Sequence, residues 1–195
     1  QENNYKDADL QIYFPERCLY DSIIFDSVIR SIHKHSLTPV FHIGKPTISL
    51  QKRIAVKISN VKMSESYKKK AFVGKINKNS ISAYNAKWSA DQLEFKTRNF
   101  GKYGVFIDSI PPVVTQLTKT DKIRASKKIV LKVVDKESGI SKYDAWLNGK
   151  WVILQYDPKK NKMIFESKKG FNLDDTFLVK IEDAVGNQTK HTIDF

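Results

Sequence analysis

Short runs in which apolar and polar residues alternate recur along this chain, and helical spacing is almost missing. That pairing constrains the fold more than any other feature. In residues 128–134, Ile129, Leu131 and Val133 fall on one side while Lys128 and Lys132 fall on the other. Tyr143, Ala145 and Leu147 alternate with Asp144 and Trp146, and Phe177, Val179 and Ile181 alternate within TFLVKIED. A period of two belongs to strands with one buried face. WVILQYD, MIFES and KHTIDF complete six or seven strands at short intervals, the pattern of an antiparallel sandwich. The first half is also strand-rich, through DLQIYF, SIIFDSVIR, RIAVKIS, KAFVGKI, LEFKT and YGVFID.

Between the halves stands DSIPPVV. Pro111 and Pro112 lack amide donors and fix φ, which suits a stiff extended connector better than continued sheet. The expectation is an all-β chain of two consecutive immunoglobulin-like antiparallel β-sandwich domains, residues 1–110 and 111–195.

The net charge of +13 is spread over both parts: residues 1–110 carry 18 basic against 10 acidic residues, and residues 111–195 carry 16 against 11. Of the 34 basic residues 29 are Lys, mostly alternating with apolar neighbours as in KKIVLKVVDK. That is the solvent face of strands, where Lys also discourages edge pairing. Nucleic acid is therefore not an expected partner, and anionic envelope polymers fit better. A single cysteine, Cys18, excludes an intramolecular disulfide, and its apolar flank favours a buried, inert thiol. No apolar run reaches membrane-spanning length. The polar start QENNYKDAD is what a processed N-terminus would look like.

The runs IDSIPPVV, VVDKESGISKYDAWLNGKWVILQYDPKKNKMIFE and VKIEDAVGNQT resemble the C-terminal region of LytM/lysostaphin-type zinc endopeptidases of the Bacteroidetes cell envelope. The first half resembles the preceding module of those proteins through IYFPERCLYDSIIFD, FHIGKPTISL and FGKYGVFID. Such enzymes cut peptidoglycan crosslinks with a zinc held by a His-x-x-x-Asp motif and a His-x-His motif. Four residues after His33, His35, His42 and His191 come Leu37, Pro39, Pro46 and Phe195, so the His-x-x-x-Asp motif does not occur here. The resemblance thus covers the non-catalytic part. It implies an accessory or targeting region of a periplasmic or secreted peptidoglycan peptidase, or of a relative lacking the catalytic domain. No cofactor is expected; the partners it implies are a catalytic peptidase domain and peptidoglycan or another envelope polysaccharide.

Three groups of residues could carry chemistry. His33 and His35 would share one face of a strand, as two zinc ligands should, yet only His42 lies near as a third. Asp135, Glu137 and Asp183 could gather at one end of the second sandwich and hold calcium. The start D-x-E-x-G lacks the EF-hand Gly and Glu positions, and Asp135 and Asp183 could equally cap turns whose Gly139 and Gly186 take positive φ. Asn148-Gly149 is a two-residue hairpin signal that sets Leu147 against Lys150 and Trp146 against Trp151. If Tyr143, Ala145 and Leu147 face the core, both indoles lie outside, either stacking on sugar rings or packing within the protein. The runner-up function is accordingly a carbohydrate-binding or adhesion module built on Trp146 and Trp151.

Overall fold

Residues 49–58 show how the first half is made: Leu50, Ile54, Val56 and Ile58 are buried, while Arg53 and Lys57 between them are exposed. Repeating that pattern on both sides of a shared core produces a sandwich. The computed structural model describes residues 3–25, 27–78 and 80–195. Its contacts divide the chain into Gln1–Asp108 and Ser109–Phe195, where the sequence suggested a boundary near Ile110. Among the described residues the chain is all-β apart from two short helices.

The first unit contains β1 (Asn3–Lys6), β2 (Leu10–Phe14), β3 (Ile29–Ser31), β4 (Val40–Ile43), β5 (Ser49–Ile58), the one-turn α1 (Glu65–Lys68), β6 (Ala71–Ile76), β7 (Ile81–Tyr84), β8 (Ala86–Ser89), β9 (Gln92–Asn99) and β10 (Gly101–Ile107). One antiparallel sheet runs β1-β2-β5-β9-β8 and the other β3-β4-β10-β6-β7. Ile12, Ile54, Val56 and Phe95 from the first meet Phe41, Ile43, Val73 and Val105 from the second in one core.

The corner between β9 and β10 holds a buried polar knot. Tyr103 is fully buried, and its hydroxyl donates to the Asn99 carbonyl at 2.6 Å and lies 2.9 Å from Thr97 Oγ1. The Asn99 amide in turn donates to Thr97 Oγ1 at 3.0 Å. Each polar atom buried there therefore has a partner, as burial demands. Gly44 faces this region at φ +57, and a Cβ on it would lie 2.6 Å from the Phe100 ring. Only glycine meets both conditions.

Two strand expectations fail in this unit. Ser22–Phe25 joins no sheet ladder, and among the described residues of the SIIFDSVIR run only Ile29 and Arg30, at the start of β3, pair. Phe25 instead packs edge-on against Tyr5 and Phe14, so the apolar character of the run serves the core without a strand. His33 to His35 forms a turn, so the strand geometry expected for a two-histidine zinc face is absent.

The second unit contains β11 (Val113–Gln116), α2 (Thr120–Ser126), β12 (Lys128–Val134), β13 (Ile140–Leu147), β14 (Lys150–Val152), β15 (Gln155–Asp157), β16 (Lys162–Glu166), β17 (Thr176–Asp183) and β18 (Gln188–Asp194). The sheets run β11-β12-β16-β15 and β14-β13-β17-β18. In immunoglobulin lettering these are A-B-E-D and C′-C-F-G. Ile129, Leu131, Met163 and Phe165 face Ala145, Phe177, Val179 and Ile181 across the core.

WVILQYD, expected as one strand, divides in two. The chain leaves β14 after Val152 and joins the opposite sheet at Gln155, with Leu154 buried at the crossing. A sandwich requires such a transfer, and a continuous apolar run conceals it. The helix α2 is also unforeseen from sequence. It is too short to show periodicity, and its one buried side chain is Ile123. No helix among the described residues is long and apolar enough to cross a membrane.

Candidate functional site

The hairpin between β13 and β14 carries the two tryptophans singled out from the sequence. Asn148 and Gly149 both take positive φ, 51° and 74°, as a two-residue turn of the twisted type requires. Ala145 pairs with Val152, Trp146 with Trp151 and Leu147 with Lys150. Ala145 is buried and Leu147 packs on the core, so the indoles occupy the outer face, on the side the alternation suggests. Trp146 is half-buried and Trp151 is 59% exposed.

Neighbouring residues complete that face. Across the sheet, Trp146 pairs with Leu178 and Leu178 with Thr192, while Asp144 pairs with Lys180 and Lys180 with Lys190. The Trp151 indole N–H donates to Asp144 Oδ1 at 3.0 Å, which fixes the ring against β13. Ile153, just past the end of β14, is 71% exposed. The result is an aromatic and aliphatic platform with a carboxylate and two ammonium groups beside it. Asp144 is the member that the sequence reading missed. Its place two residues before Trp146 was a usable signal, since period two puts both on one face.

The tip of the hairpin is held rigidly. The Asn148 amide donates to the Thr176 carbonyl at 2.9 Å, and Asn148 Oδ1 accepts from the Thr176 amide at 2.9 Å. Asn148 Nδ2 donates to Asp175 Oδ1 at 2.8 Å, and Asp175 Oδ2 accepts from the Asn172 amide at 2.8 Å. Those bonds, that from Asn148 first, hold the Asp175 carboxyl below its ordinary range. Preorganisation of this kind lowers the entropy cost of binding.

Two of the carboxylates considered for calcium, Asp135 and Asp183, are engaged in their own turns. Asp135 Oδ1 accepts from the amides of Glu137 at 3.2 Å and Gly139 at 2.6 Å. Asp183 is buried; its Oδ1 accepts from the Val185 and Asn187 amides at 2.9 and 2.8 Å, and its Oδ2 from Asn187 Nδ2 at 2.6 Å. Gly139 and Gly186 take φ of 80° and 87° in these turns. The loops do meet, through the Ala184 amide on the Gly139 carbonyl at 3.1 Å. Among the described residues, however, Asp183 does not join Asp135 and Glu137 in a set of mutually close ligand oxygens.

In the first unit, the His33 and His35 rings lie 5.9 Å apart, and His33 Nδ1 accepts from the His35 amide at 3.3 Å. His42 is bonded to Ser31 Oγ at 2.8 Å, and no cluster of three metal-ligating groups among the described residues includes a histidine. Cys18 is buried, and that burial pushes its thiol up, away from the reactive thiolate.

No curated protein matches this chain. Among solved structures, a polysaccharide lyase aligns with a TM-score of 0.28 and 8% identity over 98% of this chain; the chain spans 31% of that enzyme's length. A Zu5-like domain model matches residues 1–108, which is the whole first unit and more than half of the chain. By that match the chain belongs to the Zu5-like domain family.

Proposed function

We propose that this chain is a non-catalytic accessory region of a cell-envelope peptidoglycan metallopeptidase, or of a relative lacking the catalytic domain. On this reading it docks on envelope glycan through Trp146 and Trp151. The observation that carries the reading is the exposed Trp151 ring, paired with Trp146 and anchored to Asp144 on a hairpin tied to the body of its domain. Pyranose rings expose C–H groups on one face, and the negative face of an indole attracts them. Asp144, Lys180 and Lys190 stand where hydroxyl or carboxylate substituents of a bound sugar could be hydrogen-bonded. The accessory role draws on the resemblance of the second domain to the non-catalytic part of LytM-type enzymes and on the lack of a His-x-x-x-Asp motif. A periplasmic or secreted location follows from the same reading.

Peptidoglycan fragments titrated into the protein are expected to shift tryptophan emission to a saturable end point. The shift disappears in Trp151→Ala, and Asp144→Ala weakens binding about fivefold by freeing the indole. Unchanged emission with peptidoglycan and with a panel of envelope polysaccharides removes the glycan reading. Zinc-dependent cleavage of crosslinks by this chain, abolished in His33→Ala, overturns the non-catalytic one.

A further inference from the structure

The outer face of the sheet β1-β2-β5-β9-β8, in the first domain, collects cations in a regular pattern. Lys6, Gln11, Lys57, Glu94 and Lys87 form one row across all five strands, each in register with the next. The next row holds Asn4, Tyr13, Ala55 and Lys96. Arg53 and Arg98 lie beyond them on β5 and β9. Among the described residues the face thus carries six cations and one carboxylate. Glu94 pairs with Lys57 at 3.5 Å, and the other five cations have no acidic partner among the described residues.

The surface is also shaped. Two shallow depressions of about 610 and 640 Å³ adjoin along Glu94 and Lys96. Tyr13, 38% exposed, stands beside the small Ala55 on the floor of the first. Lys6, Lys57 and Lys87 occupy every second strand, so they repeat at about 10 Å across the sheet.

We propose that this face binds an acidic polysaccharide, with the lysine row pairing uronate carboxylates and Tyr13 receiving a sugar ring beside Ala55. The occupant is chosen by charge complementarity and spacing. A nucleic-acid strand presents a phosphate about every 3.4 Å, much denser than this row. A glycan that alternates an acidic with a neutral sugar is charged as sparsely as the row is. Five cations without an acidic partner among the described residues repel one another on this face, and a polyanion relieves that repulsion. The proposal is independent of the indole pair in the second domain.

Hyaluronan, which alternates a uronate with a neutral sugar, is a suitable probe, with dextran and duplex DNA as comparators. At low ionic strength the intact protein should bind hyaluronan saturably and dextran not at all, with affinity falling as salt rises. The double substitution Lys87→Glu with Lys96→Glu should weaken binding about tenfold or more. Lys132→Glu with Lys159→Glu changes net charge equally on exposed positions of the second domain and should leave affinity within about twofold. The milder pair Lys87→Gln with Lys96→Gln should give an intermediate loss, and it keeps the test open should charge reversal unfold the domain. Repeating the series in the Trp151→Ala protein separates this face from the indole pair. No binding, equal binding to dextran, or an equal loss in the second-domain control overturns the proposal. Tighter binding to DNA than to hyaluronan overturns it in favour of a nucleic-acid surface.

Discussion

Particular corners of the two domains are held by different polar groups. The first closes its β9–β10 corner with neutral groups, Tyr103, Thr97 and the backbone of Asn99. The second holds its turns with carboxylates: Asp183 gathers the turn before β18, and Asp175 ties the indole hairpin to β17. A buried carboxylate accepting several donors is stronger than a neutral bond, and its loss strands more partners. The turns of the second domain should therefore depend on single side chains more heavily than the corner of the first does.

The largest expected effect tests that dependence directly. Asp183→Ala removes the acceptor of the Val185 and Asn187 amides and of one bond from Asn187 Nδ2. The cost to the second domain is about 3 kcal/mol. Asp183→Asn keeps an acceptor in place and should cost about 1 kcal/mol. Because Trp88 lies in the first domain and Trp146 and Trp151 in the second, urea unfolding followed by fluorescence in a Trp88→Phe background isolates the second transition. Equal midpoints for Asp183→Ala and the parent would break the comparison.

The neutral knot supplies the middle case. Tyr103→Phe removes one donor, while the Asn99 carbonyl still accepts from Thr97 Oγ1 at 3.2 Å and the Asn99 amide keeps its bond to Thr97. A loss of about 1 kcal/mol is expected in the first domain. A loss as large as that of Asp183→Ala would mean that neutral and ionised turn groups are equivalent here.

What could be read from sequence follows the same division. Alternation on β12 and β17 identified the core faces of the second domain, because period two is unambiguous when one face is wet, whereas on β13 it left the side of the two indoles open. Asn148-Gly149 revealed the hairpin and its opposed indoles, since two-residue turns leave one register. The crossing at Ile153 and Leu154 was hidden because Trp151 to Leu154 is one continuous apolar run and the transfer has no residue signature. The basic face of the first domain was hidden for another reason: its cations come from β1, β5, β8 and β9, and only strand order gathers them. Charge totals describe the chain, not a face. The SIIF run misled because an apolar loop and an edge strand look alike until hydrogen bonds are assigned.

The smallest expected effect concerns an exposed ion pair and sharpens the contrast by pH. Arg30 donates to Asp7 Oδ2 at 2.7 Å and to Asp9 Oδ1 at 2.5 Å, and the Tyr5 hydroxyl donates to Asp7 at 2.7 Å. Burial alone would push the Asp7 carboxyl up; the Arg30 guanidinium, the Tyr5 hydroxyl and the Asp9 amide outweigh it and hold the group at about 2. A folded value below the unfolded one means that the stabilisation is present above about pH 4 and is lost as pH falls towards 2. With side chains 33% and 25% exposed, solvent screening keeps the contribution to roughly 0.5 kcal/mol. Arg30→Ala should lower first-domain stability by about that amount at pH 7 and flatten its decline between pH 4 and pH 2. The second domain should keep its acid slope in the same variant. Its lowered carboxyls are held elsewhere: Glu182 by Lys142 and then Gln188, Asp175 by Asn148 and then Asn172. Thermal melts at half-unit pH intervals, read in the Trp88→Phe and the Trp146→Phe/Trp151→Phe backgrounds, separate the two slopes. A parallel change in both domains, or an unchanged first-domain slope, would show that acid sensitivity does not reside in this pair.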